Sequence, residues 1–321
     1  MQRQLCAAVL ACVLGCGLAP QAVGQDVPLS KIIVPYGAGG GVDAFARPLA
    51  AVIGDAQNHR VIVDNRGGAG GTLGVRGALQ SPSNGSTLLA GGVHQPMAEA
   101  LYPDRGYRID VDFVPVAVTA IVPNVLVVPA NSRFETLAAI MEEARANPGK
   151  LTYCSSGNGT SQHIIAEMFK RATGLSIAHV PYRGTAAALQ DLIGGFCDMM
   201  FDGLGTSVPQ IEGKRLRALA VTTAERSSYL PEIRTLAEAG GPRLDVSTWY
   251  AIWAVKEMPE RAISRLRGQV RAALQDPSVK RAWEQQGALV PTIPDEQLTS
   301  FVRDETARWT RTVTELSIRA N

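Results

Sequence analysis

Metal-binding and nucleophile motifs are missing from this chain. It has no His-Glu-x-x-His, no Cys-x-x-Cys and no Gly-x-Ser-x-Gly, and the four histidines (His59, His94, His163 and His179) fall at spacings that suit no metal. Zincin-type proteolysis, dithiol redox chemistry and nucleophile-elbow hydrolysis therefore lack their usual residues, and neither a metal nor a cofactor is expected. Only a dispersed serine/histidine arrangement stays open to a hydrolase, with His163 as its candidate base. Excess charge is lacking too: 31 basic side chains face 29 acidic ones, with no basic run or tail, so no nucleic-acid partner is expected. Beyond the first two dozen residues no apolar run approaches the roughly 20 residues that span a bilayer.

Those first residues read as a secretory leader. Arg3 precedes an apolar stretch from Leu5 to Leu18, and small residues follow, so cleavage after Gly24 is expected, with 1–24 as signal peptide. Val13-Leu14-Gly15-Cys16 loosely matches a lipid-attachment signal, and an uncleaved anchor is the remaining alternative. Cleavage removes Arg3 and three of the five cysteines, leaving a soluble chain of net charge +1 with Cys154 and Cys197. In an exported protein these two either form a bridge or remain as two buried thiols.

What the sequence does have is a recurring unit of strand, small-residue loop and helix. "SKIIVPY" leads through Gly37–Gly41 into "VDAFARPLAAVIGD", and "HRVIVDN" leads into "RGGAGGTLGVRGALQ". "LTYCSS", "IAHVPY" and "FCDMMFD" each run through a glycine-bearing turn into a helical pattern. The alternation predicts an α/β fold with mostly parallel sheets and right-handed crossovers. Gly174 and Gly194-Gly195 stand where left-handed helix ends are wanted, while Pro48 falls inside the first predicted helix and should kink it. From about Pro259 the chain reads as two or three helices. Two long strand-like runs, "DFVPVAVTAIVPNVLVVPAN" and "DVSTWYAIWAV", flank the central α/β units. They predict two lobes, 27–123 plus 246–321 and 124–245, with the runs as crossings between them.

The glycine turns carry the candidate site. In an open parallel sheet such turns lie at the carboxyl ends of the strands, where ligands bind. The helix N-termini that follow them present N–H groups and partial positive charge. The expected guest is a small carboxylate. Candidates are Tyr36, Gly37, Ala38, Gly39, Gly40 and Asp43 in the first turn, and Ser155, Ser156, Gly157, Asn158, Gly159 and Thr160 in the second. Tyr182, Arg183, Gly184 and Asp202 follow in the third and fourth. Thr160 or Ser161 would cap its helix. Asp202 is either a ligand contact or a structural acid. Gly39 to Ala44 also satisfies the Gly-x-Gly-x-x-Ala dinucleotide pattern, with Asp64 closing the next strand 20 residues on. Export, the repetition of such turns and Pro35 weigh against a nicotinamide enzyme.

Taken in order, "IIVPYGAGGGVDAFARPLA", "VIVDNRGGAGGTLG", "NGSTLLAGG", "PGKLTYCSSGNGTSQHIIAEMF", "HVPYRGTAAALQDLIGGFCDMMFD" and "WYAIWAV" resemble the Bug family, the extracytoplasmic solute receptors of tripartite tricarboxylate transporters. The resemblance covers nearly all of the mature chain. It implies a two-lobed periplasmic binding protein of the Venus-flytrap type, without catalysis. It also implies a carboxylate held by the turns at Tyr36–Asp43 and Ser155–Thr160, with Tyr182–Gly184 and Asp202 nearby. Dicarboxylates, tricarboxylates, amino acids and aromatic acids are the ligands implied. A membrane permease or a sensor protein is the implied partner, and a monomer is expected. The chain departs from the family pattern at Gly37 and Ala38, where prolines are usual, at Gly68, and at Gly92, where a polar ligand contact is usual.

Overall fold

The computed structural model describes residues 27–318; the leader, Cys16 and the cleavage position lie outside them. Among the described residues, nine strands and eleven α-helices follow one another, mostly in alternation up to β8. The first third runs β1 (Lys31–Val34), α1 (Gly41–Ala56), β2 (Ile62–Asn65), α2 (Thr72–Leu79), β3 (Thr87–Gly92), α3 (His94–Leu101) and α4 (Ile109–Asp112). The middle runs β4 (Phe113–Pro129), α5 (Leu137–Ala146), β5 (Thr152–Ser155), α6 (Ser161–Thr173), β6 (Ala178–Pro181), α7 (Thr185–Ile193), β7 (Met200–Gly203), α8 (Leu204–Glu212) and β8 (Leu216–Val221). The chain finishes with β9 (Ser247–Val255), α9 (Glu260–Gln275), α10 (Pro277–Glu284) and α11 (Asp295–Glu315). No helix among the described residues is long and apolar enough to cross a membrane.

Strand β4 organises the molecule. Its first part, Phe113 to Pro123, pairs antiparallel with β9; from Asn124 it pairs with β7 and β8 instead. Two sheets thus share one strand. The first has the order β2-β1-β3-β9-β4, with β1 parallel to β2 and β3. The second reads β6-β5-β7-β4-β8: β5 is parallel to β6, and it meets β7 through a Tyr153–Met199 bridge and a 3.0 Å bond from the Cys154 amide to the Met199 carbonyl. Both sheets have the same plan, three parallel strands followed by an antiparallel one. Each is the centre of a lobe, giving the two-lobed mixed α/β fold of periplasmic binding proteins.

Local chemistry explains most elements. Strand β4 reads Val-Leu-Val-Val in its fully buried second part, as a strand covered on both faces must. Helix α1 buries Val42, Phe45, Ala46, Leu49, Ala50 and Ile53 at helical spacing and runs unbroken through Pro48. Helix α6 ends on Gly174 at φ 70°, and α7 is followed by Gly195 at φ 76°. The Thr160 hydroxyl does not cap α6 as expected, because it donates to the Gly157 carbonyl at 2.8 Å within the preceding turn. Cys154 and Cys197 are joined in a disulfide, Cα to Cα 6.1 Å, tying β5 to the segment that enters β7.

Candidate functional site

Every parallel strand ends at one cavity of about 650 Å³. It lies between the lobes, and six helices begin at its wall: α1 behind Gly40, α2 behind Gly71, α3 at His94, α6 behind Thr160, α7 behind Gly184 and α8 behind Gly203. The first N–H groups of a helix have no carbonyl behind them to bond. Their partial positive charges therefore converge on this space from both sides, except at α2, whose Thr72 amide bonds back to the Ala69 carbonyl. The walls touch at the rim: a Cβ placed on Gly40 would lie 3.6 Å from the Thr185 hydroxyl, and one on Gly70 would lie 3.4 Å from the Asn158 carbonyl.

Of the residues singled out from sequence, Tyr36, Gly37, Gly40, Ser156, Gly157, Asn158, Thr160, Tyr182, Arg183, Gly184 and Asp202 line the cavity. Ala38, Gly39, Asp43, Ser155 and Gly159 do not. Gly39 donates its amide to Asp43 at 2.9 Å, and Gly159 donates its own to His163 Nδ1 at 3.1 Å. Asp43 is a buried brace under the first turn, accepting also from Arg47 Nε at 2.8 Å and Asn65 Nδ2 at 2.9 Å. Burial opposes its ionisation, but Arg47, the Gly39 amide and Asn65 outweigh it and hold the carboxyl below the usual range. Ser155 is fully buried, with its hydroxyl 2.7 Å from His179 Nε2.

Asp202 lies at the cavity floor and is already engaged. Oδ1 accepts from Gln162 Nε2 at 2.6 Å, while Oδ2 accepts from the Thr206 and Ser207 hydroxyls at 2.6 and 2.8 Å. Burial raises its pKa despite these donors. Gln162 is the hub of the second lobe's wall. Its Oε1 receives the Ser156 amide at 2.6 Å and its Nε2 also reaches Thr185 Oγ1 at 3.4 Å, so one side chain fixes three turns. Gln162, Thr185, Thr206, Thr248, Tyr250, His94 and Tyr102 are wall residues that sequence reasoning passed over, and the Gly67–Gly71 loop lines the cavity with them. The glycine-rich run after β2 was the one available signal.

Two other expectations meet the geometry. His163 is buried outside the cavity wall, its ring stacked 4.1 Å from that of His179 and its Nδ1 occupied by Gly159. Asp64, the acid of the dinucleotide pattern, is ion-paired with Arg66 at 2.8 Å and Lys31 at 3.7 Å, away from the cavity. Gly92 has a steric reason to be glycine: a Cβ there would lie 2.0 Å from the Trp249 carbonyl of the neighbouring strand.

A family model described as the tripartite tricarboxylate transporter family receptor matches residues 45–318. Protein BugT of Bordetella pertussis is 33% identical over 287 residues, 89% of this chain and 88% of that protein. Among solved structures, a Rhodopseudomonas palustris protein with adipate is 32% identical with a TM-score of 0.86, covering 91% of this chain and 98% of the other. Malate-bound MatC of Rhodopseudomonas palustris is 28% identical with a TM-score of 0.83, covering 89% and 98%. A match across this span, to proteins of the same architecture, settles the assignment: this chain belongs to the tripartite tricarboxylate transporter receptor family, the Bug-type solute-binding proteins.

Proposed function

We propose that this protein is a non-catalytic periplasmic receptor that captures a small dicarboxylate between its lobes and releases it unchanged. The carrying observation is the convergence of six helix starts on one cavity. The anion would be met by amide hydrogens of Gly40–Val42 and of the α6 and α7 first turns, with hydroxyls from Ser156 and Thr185. Of the residues on the wall only Arg183 is a basic side chain, and it stands exposed where it could meet a second carboxylate. Adipate and malate in the related structures have this chemistry.

The same wall argues against amino acids. The only acid on the wall is Asp202, and three side-chain donors already engage it, so an ammonium would have to compete with them for the one charged acceptor there. A diacid should therefore bind more tightly than its α-amino counterpart. We assign lobes 27–123 plus 246–321 and 124–245, closing by flexure where β4 changes partners at Asn124 and where the chain returns before β9. The receiver in this reading is a membrane permease, with a sensor protein as the other, and the chain would act as a monomer.

A thermal-shift screen of the purified mature protein tests the reading. Adipate or malate should raise the melting temperature in proportion to the logarithm of its concentration, while hexanoate and aspartate should raise it less. A screen in which no carboxylate raises the melting temperature refutes the reading, and so does one in which aspartate raises it most.

A further inference from the structure

One side-chain hydrogen bond crosses the cleft at the cavity wall. His94 heads α3 in the lobe built on β1–β3, and Ser161 heads α6 in the lobe built on β5–β7. Ser161 Oγ lies 3.1 Å from His94 Nε2, and both residues line the cavity. The imidazole is steadied by ring contacts to Tyr36 at 5.2 Å and Tyr250 at 6.3 Å. Its other nitrogen, Nδ1, is buried with no partner.

That orphan nitrogen fixes the direction of the bond. A buried N–H without an acceptor is the rarer and costlier vacancy, and an unmatched lone pair the more tolerable one. The proton therefore sits on Nε2 and is donated to Ser161 Oγ. Burial pushes the imidazole pKa down to about 4, so the ring is neutral at physiological pH. With its oxygen accepting from His94, the Ser161 hydroxyl has its own hydrogen free to donate into the cavity.

We infer that His94 is a positioning residue that latches the two lobes through Ser161 and aims the Ser161 hydroxyl at the guest's carboxylate. The latch rests on the geometry alone; its second role rests on the receptor reading. Closing the cleft forms the His94–Ser161 bond, and a carboxylate then completes a chain from Nε2–H through Oγ–H to the ligand. Ligand and closure favour each other because they share Ser161.

The test is a distance measurement across the cleft, by pulsed electron resonance between spin labels at the exposed positions Arg76 and Gln190. It is made without ligand and then with adipate, and each variant's melting temperature is recorded to confirm folding. The ligand-free wild type should show a short-distance population. His94→Ala and Ser161→Ala should each lower its ratio to the open form by about tenfold, the double variant should go no further, and His94→Gln, which keeps a donor, should restore it. Adipate affinity should fall about tenfold in the same two variants. An unchanged distance distribution in both single variants, additive effects in the double variant, or no closed population in the wild type overturns the latch. If adipate and malate bind no form of the protein while the ligand-free populations behave as stated, the receptor reading fails and the latch stands.

Discussion

Acidification should destabilise this protein through the imidazole stack beneath the second turn. Tyr153, His179 and His163 lie face to face, with 4.7 Å between the first two rings and 4.1 Å between the histidines. His163 is only 6% exposed, and burial lowers its pKa from 6.5 to about 4, with Glu167 opposing and Lys170 reinforcing the fall. His179 shifts the same way, first by burial and then by the neighbouring His163. A histidine held neutral in the fold contributes stability that is complete above its unfolded pKa and is lost as pH falls towards its folded one. For His163, linkage gives a loss of about 2 kcal/mol between pH 7.5 and pH 5, and about 3 kcal/mol by pH 4. The effect has a structural target, since Nδ1 must keep its lone pair to accept the Gly159 amide. Urea denaturation of wild type and His163→Gln at pH 7.5, 6 and 5 would read it. The variant should lose about 2 kcal/mol less than wild type across that range. Parallel pH dependences in the two proteins would refute the argument.

Other consequences follow from the same contacts. Gly40→Val should abolish adipate binding while unfolding within about 1 kcal/mol of wild type, because Gly40 has φ −85° and its Cβ would meet only ordinary contacts before filling the cavity mouth. Calorimetric titration and denaturation of that variant check both halves. Gly41→Ala should instead cost about 1–3 kcal/mol, since its Cβ would lie 2.1 Å from the Tyr250 hydroxyl, whose ring is held 4.6 Å from Phe45; a denaturation midpoint equal to wild type contradicts this. Asp202→Ala should cost about 1–3 kcal/mol by stranding the Ser207 hydroxyl and leaving Gln162 and Thr206 only their longer bonds to Thr185 and the Gly203 carbonyl, again read by denaturation. Reducing the Cys154–Cys197 bond, which spans 43 residues, should lower stability by up to about 4 kcal/mol on the chain-entropy estimate; denaturation with and without reductant measures it.

Much of this architecture is legible in the sequence because its signals are local. Strand, glycine turn and helix recur, and turn residues with special backbone angles mark the carboxyl edge of each sheet. The shared strand β4 is visible as one long β-branched run interrupted by prolines. Helices α3 and α4 are not legible: "HQPMAEAL" has no capping residue at its start, and its helical state follows from packing against α11 and β3 rather than from propensity. The candidate site divides in the same way. Backbone positions such as Gly40 and Gly157 are marked by their own residue type. Asp43 and Ser155 have the expected chemistry and point elsewhere, because Arg47, Asn65 and His179 are brought to them by the tertiary fold. Gln162, Tyr250 and His94 belong to the wall only through contacts made across 23 to 67 residues or through register within β9, which no single stretch encodes.

The proposed grip of backbone amides on a carboxylate can be tested directly. In a two-dimensional amide spectrum of the uniformly labelled protein titrated with adipate, the N–H resonances of Gly40, Gly41, Val42, Ser161 and Gln162 should move downfield together and saturate at one equivalent, with adipate recovered intact. Shifts confined to Arg183 and other rim side chains, with those five amides stationary, would contradict the account.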